Sequence, residues 1–297
     1  MAHVASPNDA SLRPPAVAGR FYPGQGAECQ SAAASYVRTA KIESLNRPSG
    51  AVVPHAGWVC SGAIAGEAIG TLAALAPAKI VVVFGAVHTP IRLEQAALDP
   101  HAIWRVPTGD SSQPLDALSK LSASPSFIVE ARLHEREHAV EVELPLIQVA
   151  WPGAQVLPIE VPLIEQASRI GRETAEQVLA IEPSAVFLAS SDLTHYGPAY
   201  RFVPAGIGEN ALTWAKENDR RLLNLIEGFE VDRIVPEVGG RMNACGGGAI
   251  AAMLAACKVK GANRAQVLRH ANSYETLRGL VPPDPTNAVG YAGVVVG

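Results

Sequence analysis

The stretch KIVVVFG at Lys79–Gly85 constrains this chain more than any other. Its β-branched residues favour a strand, and no polar residue alternates with the apolar ones. A strand with one wet face would show that alternation. An unbroken apolar run needs cover on both faces. AVFLAS at Ala185–Ser190 is a second such run, and Gly50–Pro54 a shorter one. Helical patterns are predicted over Ala27–Leu45, Ser61–Leu75, His138–Ala150, Gln166–Ala180, Glu209–Glu227 and Gly246–Ala256. Further strands are expected at Gln155–Glu160, Gln266–Ser273 and Ala288–Val296. Strands separated by helices predict an α/β chain, with a central sheet between helical layers. No Gly/Ser/Pro linker divides the alternation, so one large domain is expected.

Composition then excludes several classes. Apolar residues make up 48% of the 297 positions, too many for a disordered chain. The 24 Lys and Arg are balanced by 28 Asp and Glu without a basic run, so no nucleic-acid partner is expected. No apolar stretch reads as the roughly 20 residues that span a bilayer, so no membrane partner is expected either. The N-terminal MAHVASPNDASLRPP has no apolar core of a signal peptide. The four cysteines, Cys29, Cys60, Cys245 and Cys257, form no CxxC pair and no disulfide framework. A reducing, cytoplasmic setting is the expectation.

In open α/β sheets, ligands sit beyond the carboxyl ends of the strands. Here AVVP delivers His55, IVVVFG delivers His88 three residues past Gly85, and AVFLASS delivers Asp192 and then His195. A single histidine after a strand is usually a structural hydrogen-bonder; three at equivalent positions point to a shared site. Asp192 and His195 read either as a helix cap beside a surface histidine or as an acid/base pair. Cys245 lies in NACGGGAI, where glycines open an apolar helix. A helix N-terminus favours the thiolate, which is a nucleophile or a metal ligand. The bland alternative is a small buried hydrophobe.

His134-Glu135-Arg136-Glu137-His138 matches the HExxH of zinc peptidases. On a helix the two histidines would share a face, with Glu135 as general base. Arg136 inside the motif and the late start of the apolar pattern weaken that reading. Glu137 reads as part of a solvated helical face.

The stretches RPPAVAGRFYP (13–23), VVPHAGWVCSG (52–62), FGAVH (84–88), EHAVEVELP (137–145), SSDLTHYG (190–197), NACGGGAI (243–250) and VGYAGVVV (289–296) resemble the Memo family, protein B of the AmmeMemoRadiSam system. The resemblance implies a fold shared with class III extradiol ring-cleaving dioxygenases: a single-domain α/β/α sandwich with a mostly parallel or mixed sheet over 13–297, after a flexible N-terminus over 1–12. It implies a metal held by His55, His88 and Cys245, with His195 as acid/base and Asp192 orienting it. His138 and Glu141 fall on the EHxxE motif and are expected to line the cleft. Trp58 and Tyr196, next to motif histidines, are the expected pocket walls.

A dioxygenase would carry a carboxylate where Cys245 stands. The softer thiolate favours iron, copper(I) or zinc over Mg or Mn, and the dioxygenase likeness makes Fe(II) the first expectation, with copper or zinc as alternatives. The expected partners are a small organic substrate and O2, with radical-SAM and AMMECR-type proteins as possible partners and a homodimer as a possible assembly. Three functions follow: dioxygenase-like oxidation at a mononuclear non-haem metal, a metal- or peptide-binding module without turnover, and, most remotely, a zinc peptidase.

Overall fold

The computed structural model describes residues 11–43, 45–282 and 284–297. Most of the expected flexible N-terminus, residues 1–10, lies outside the described residues. Leu12 pairs with Ile103 in a small separate sheet, one residue before the expected start of the domain.

Among the described residues, nine strands form one sheet. In chain order they are β1 (Gly50–Val53), β2 (Ile80–Gly85), β3 (Ala96–Leu98), β4 (Phe127–Val129), β5 (Gln155–Glu160), β6 (Val186–Ser190), β7 (His195–Tyr196), β8 (Ala265–Asn272) and β9 (Ala288–Val296). Across the sheet the order is β7-β9-β1-β6-β2-β5-β3-β4, with β8 also paired to β9. The central four, β1-β6-β2-β5, are parallel, while β9 joins β1 antiparallel and β3 joins β5 antiparallel.

Both faces of the unalternating strands are covered, as their sequence demands. Val82, Phe84, Leu157, Phe187 and Val294 pack in one core against helices Ala167–Leu179, Glu209–Glu227, Val231–Arg241 and Gly247–Val259. Val81, Val83, Val156, Leu188 and Val295 pack in the other, against helices Trp58–Leu75 and Leu144–Ala150. The result is the expected α/β/α sandwich. All four central strands end on one edge, and that edge carries the histidines.

Two helices depart from expectation. The first runs only over Gly26–Tyr36. It ends at Val37, whose backbone is extended, because the backbone at Tyr36 and Arg38 lies against the helix Trp58–Leu75, where side chains at Gly66 and Gly70 would collide with it. The second, expected from His138, starts as a single turn at Glu141–Glu143 and continues over Leu144–Ala150. The Glu137 carboxylate takes the N–H groups of His138 and Ala139, diverting them from helix formation.

Helix Trp58–Leu75 does reach 18 residues and is apolar enough to cross a membrane by length and composition, contrary to the sequence reading. Its apolarity has another cause: the helix lies between the sheet and its neighbours, with Ile64, Ala65, Ala68, Ile69 and Leu72 buried.

Candidate metal centre

The edge where β1, β2 and β6 end brings His55, His88 and Cys245 together. One donor atom from each lies within 4.8 Å of the others. His138 joins them: its ring centroid is 4.4 Å from that of His88 and 5.2 Å from that of His55.

The far nitrogens of the two ligand histidines are tied. The Ser190 hydroxyl donates to the Ala139 carbonyl, so its oxygen accepts from His55 Nδ1–H at 2.9 Å. His55 Nε2 keeps its lone pair, 3.2 Å from Cys245 Sγ. Burial, reinforced by His138 and His88, holds the His55 pKa well below the ordinary value, so the ring is neutral.

His88 Nδ1 lies 2.8 Å from Glu137 Oε1, and the other oxygen of Glu137 accepts the His88 backbone N–H at 2.8 Å. Burial opposes the charge on Glu137, but its bonds to His88 win and bring its pKa to about 2. Burial likewise opposes the charge on His88, while contacts with Cys245 and Glu137 raise its pKa to about 10. A carboxylate behind an imidazole fixes the ring and makes its other nitrogen a better donor. Glu137 is thus 2% exposed and part of the site, not a solvated helical face. Its sequence signal is its place in EHAVEVELP, directly before His138.

Cys245 precedes helix Gly247–Val259, with its N–H on the Asp192 carbonyl at 3.2 Å. Burial raises its thiol pKa and outweighs the helix N-terminus expected to lower it. A metal ion would reverse that balance by binding the thiolate.

Two nitrogens with tied partners and one sulfur, converging on one point, fit a borderline or soft transition-metal ion. A second set, His88, Glu137 and His138, overlaps the first. There Glu137 is already engaged by His88 Nδ1 and three backbone N–H groups, so the first set is the one whose donor atoms are left for an ion once His88 and Cys245 give up their protons.

Residues 13–295 match the family model described as Memo-like protein. The chain belongs to the Memo-like family. A MEMO1 family protein of Methanococcoides burtonii is 33% identical over 297 residues, spanning 96% of this chain and all of that one. Another, from Methanosarcina mazei, is 32% identical over 96% of this chain and 99% of that one. An uncharacterized Escherichia coli K12 protein of known structure aligns with a TM-score of 0.49 at 13% identity, over 84% of this chain and 100% of that one.

In this Memo-like chain several expected site residues do other work. Asp192 does not orient His195. Its Oδ1 accepts the His55 backbone N–H at 2.9 Å, fixing the loop that carries a ligand. Burial lifts its pKa to about 7 despite that bond. His195 Nδ1 instead meets the Leu193 carbonyl at 3.0 Å, and burial holds the pKa of the ring down, so Nε2 is a free base.

Tyr196, one residue on in the same strand, points to the opposite face. It is fully buried, with its hydroxyl on the Gly206 carbonyl at 2.8 Å. Trp58 is also core: its indole N–H donates to the Val142 carbonyl at 3.1 Å, and its ring packs near Tyr22 and Tyr36. The rings that do border the histidines are Phe21, 4.8 Å from His138, and Tyr200, 5.0 Å from His195. Phe21 had a sequence signal in the RFYP segment, whereas Tyr200 lies three residues past SSDLTHYG and had none.

Glu141 does not line the cleft. It is buried and takes the Arg13 guanidinium, the Tyr22 hydroxyl and the N–H groups of Ala16 and Val17. It therefore staples the RPPAVAGRFYP segment to the EHxxE segment.

HExxH is dismantled by the fold. His134 ends a four-residue helix and its ring sits in the core, with Nδ1 3.0 Å from Glu160 Oε1. Glu135 is exposed and His138 is not on that helix. The two histidines share no helical face, so the zinc-peptidase reading has no site.

Proposed function

We propose that this chain is a mononuclear non-haem metal protein that carries out dioxygenase-like oxidation of a small organic substrate with O2. In this reading His55, His88 and Cys245 hold the metal, and Fe(II) is the favoured ion, with copper and zinc as alternatives. The observation that carries the reading is the pair of tied imidazoles: Ser190 and Glu137 each hold one ring nitrogen and leave the other for the same point as Cys245 Sγ.

A bound redox metal would supply the site for O2 and substrate. The chain's own residues would do the rest. His195, neutral with Nε2 free, accepts a proton from an incoming hydroxyl and returns it later. His138, whose pKa burial and His88 bring to about 4, stays neutral and offers a hydrogen bond beside the metal position. Phe21 and Tyr200 flank these two histidines and restrict the approach of substrate.

The test is O2 consumption by iron-loaded protein against a panel of small phenolic and enolic substrates. Metal-dependent uptake that disappears in His195→Ala supports the reading. Full metal binding with no uptake across the panel favours the second reading, a binding module acting through radical-SAM or AMMECR-type partners, supported by the partial exposure of His88 and His195.

A further inference from the structure

The residue expected to support His195 was Asp192, and its carboxylate is turned toward the His55 loop. Another carboxylate stands behind the His195 turn. Asp219 lies on helix Glu209–Glu227, is 1% exposed, and has both oxygens committed. Its Oδ1 accepts the Thr194 N–H at 2.9 Å, and its Oδ2 accepts from His270 Nε2 at 2.9 Å. Asn218, beside it on the helix, donates to the Thr194 hydroxyl at 3.2 Å.

The opposite wall is shaped around this pair. Gly290 of β9 takes the Leu193 N–H on its carbonyl at 2.8 Å and gives its own N–H to the Thr194 carbonyl at 3.0 Å. A Cβ at Gly290 would stand 2.2 Å from Asp219 Oδ2, so only glycine admits the carboxylate here. The turn is therefore gripped from both sides one residue before His195, and the Leu193 carbonyl that takes His195 Nδ1–H belongs to the gripped segment. A buried carboxylate in an otherwise amphipathic helix is costly unless something uses it.

We propose that Asp219, clamped by His270, is the positioning residue for His195: it fixes the turn that sets the ring's tautomer and supplies the negative charge that supports the ring when it takes a proton. This rests on the reading of His195 as the acid/base. The charged and titratable groups facing His195 are Asp219, His55, His88, His138 and Tyr200, and Asp219 is the carboxylate among those that favour its protonated form.

Asp219→Asn separates charge from shape. The amide oxygen still accepts from Thr194. His270 accepts from the new amide only by moving its proton to Nδ1, which is buried without a partner, so a stability cost is expected and folding is checked first. The experiment is an NMR titration of the His195 ring in reduced, metal-free protein, for wild type, Asp219→Asn and His270→Gln, with folding checked by circular dichroism. The titration midpoint is expected to move to lower pH in Asp219→Asn, because the protonated ring loses its counter-charge, and to move less in His270→Gln. An unchanged midpoint in folded Asp219→Asn overturns the proposal. Should Asp219→Asn fail to fold, a His195 midpoint in His270→Gln identical to wild type overturns it as well. Neither result depends on metal or turnover, so the proposed oxidation stands or falls separately on metal content and O2 uptake.

Discussion

Two histidine–carboxylate pairs, His88–Glu137 and His134–Glu160, take a member each from the same five-residue string and put them to opposite uses. His88 Nδ1 meets Glu137 at 2.8 Å, and His134 Nδ1 meets Glu160 at 3.0 Å. The first pair stands at the strand-end edge, where the His88 side chain is 33% exposed and its other nitrogen is open to Cys245. The second is fully enclosed, with Trp104 packed against His134. The lesson is that a carboxylate behind an imidazole tunes a ligand only where the far nitrogen has somewhere to point. In the core the same pairing is a close contact sealed from solvent, without a well-formed hydrogen bond.

The comparison breaks first on stability. Glu141→Ala removes the carboxylate that neutralises buried Arg13, and an orphaned buried charge costs about 3–5 kcal/mol. Denaturant unfolding should show that loss, with metal content per folded chain unchanged. His134→Gln belongs to the same class, with an expected cost of about 1–3 kcal/mol for the partner left at Glu160. Loss of metal in either variant, with the fold intact, would erase the distinction between core and cleft pairs.

Glu137→Gln acts on the other pair. It keeps one oxygen for the N–H groups of His138 and Ala139, turns an NH2 toward the His88 N–H, and removes the charge behind His88, so metal affinity should fall about 10–100-fold. Equilibrium competition with a chelator measures this, and denaturant unfolding measures the smaller stability loss that comes with it.

The pH dependence sharpens the same point. Without metal, His88 holds its proton up to a pKa of about 10, whereas His55 and His138 are already neutral well below pH 7. Binding must displace protons from His88 and from the Cys245 thiol, so affinity should rise with pH across the range 6–8. A flat profile would mean that neither His88 nor the Cys245 thiol gives up a proton to the metal. The smallest effect is expected for Tyr196→Phe, which loses bonds to Gly206 and Ala205 and should cost about 1 kcal/mol without touching metal binding.

The strands were readable because burial on both faces writes itself directly into composition: Gln155–Glu160 and Ala288–Val296 begin and end where the apolar pattern does. The three ligand candidates were readable because parallel strands end together. What escaped was governed by contacts between distant segments. The helix expected to run to Leu45 stops at Tyr36 because of glycines some thirty residues away. Trp58 and Tyr196 were placed by proximity to motif histidines, but side-chain direction sends Tyr196 into the core and a carbonyl at Val142 captures the Trp58 indole. Asp192 and Glu137 both left their expected roles for the same reason: a carboxylate goes where N–H groups converge, and that convergence exists only in the folded chain.

The most direct test of the account is the metal content of wild type, Cys245→Ser and His134→Gln, each purified without oxygen because a free cysteine oxidises in air. The account predicts stoichiometric iron, copper or zinc in wild type and His134→Gln, and its loss in Cys245→Ser. Metal retained in folded Cys245→Ser, or lost only in His134→Gln, would contradict it.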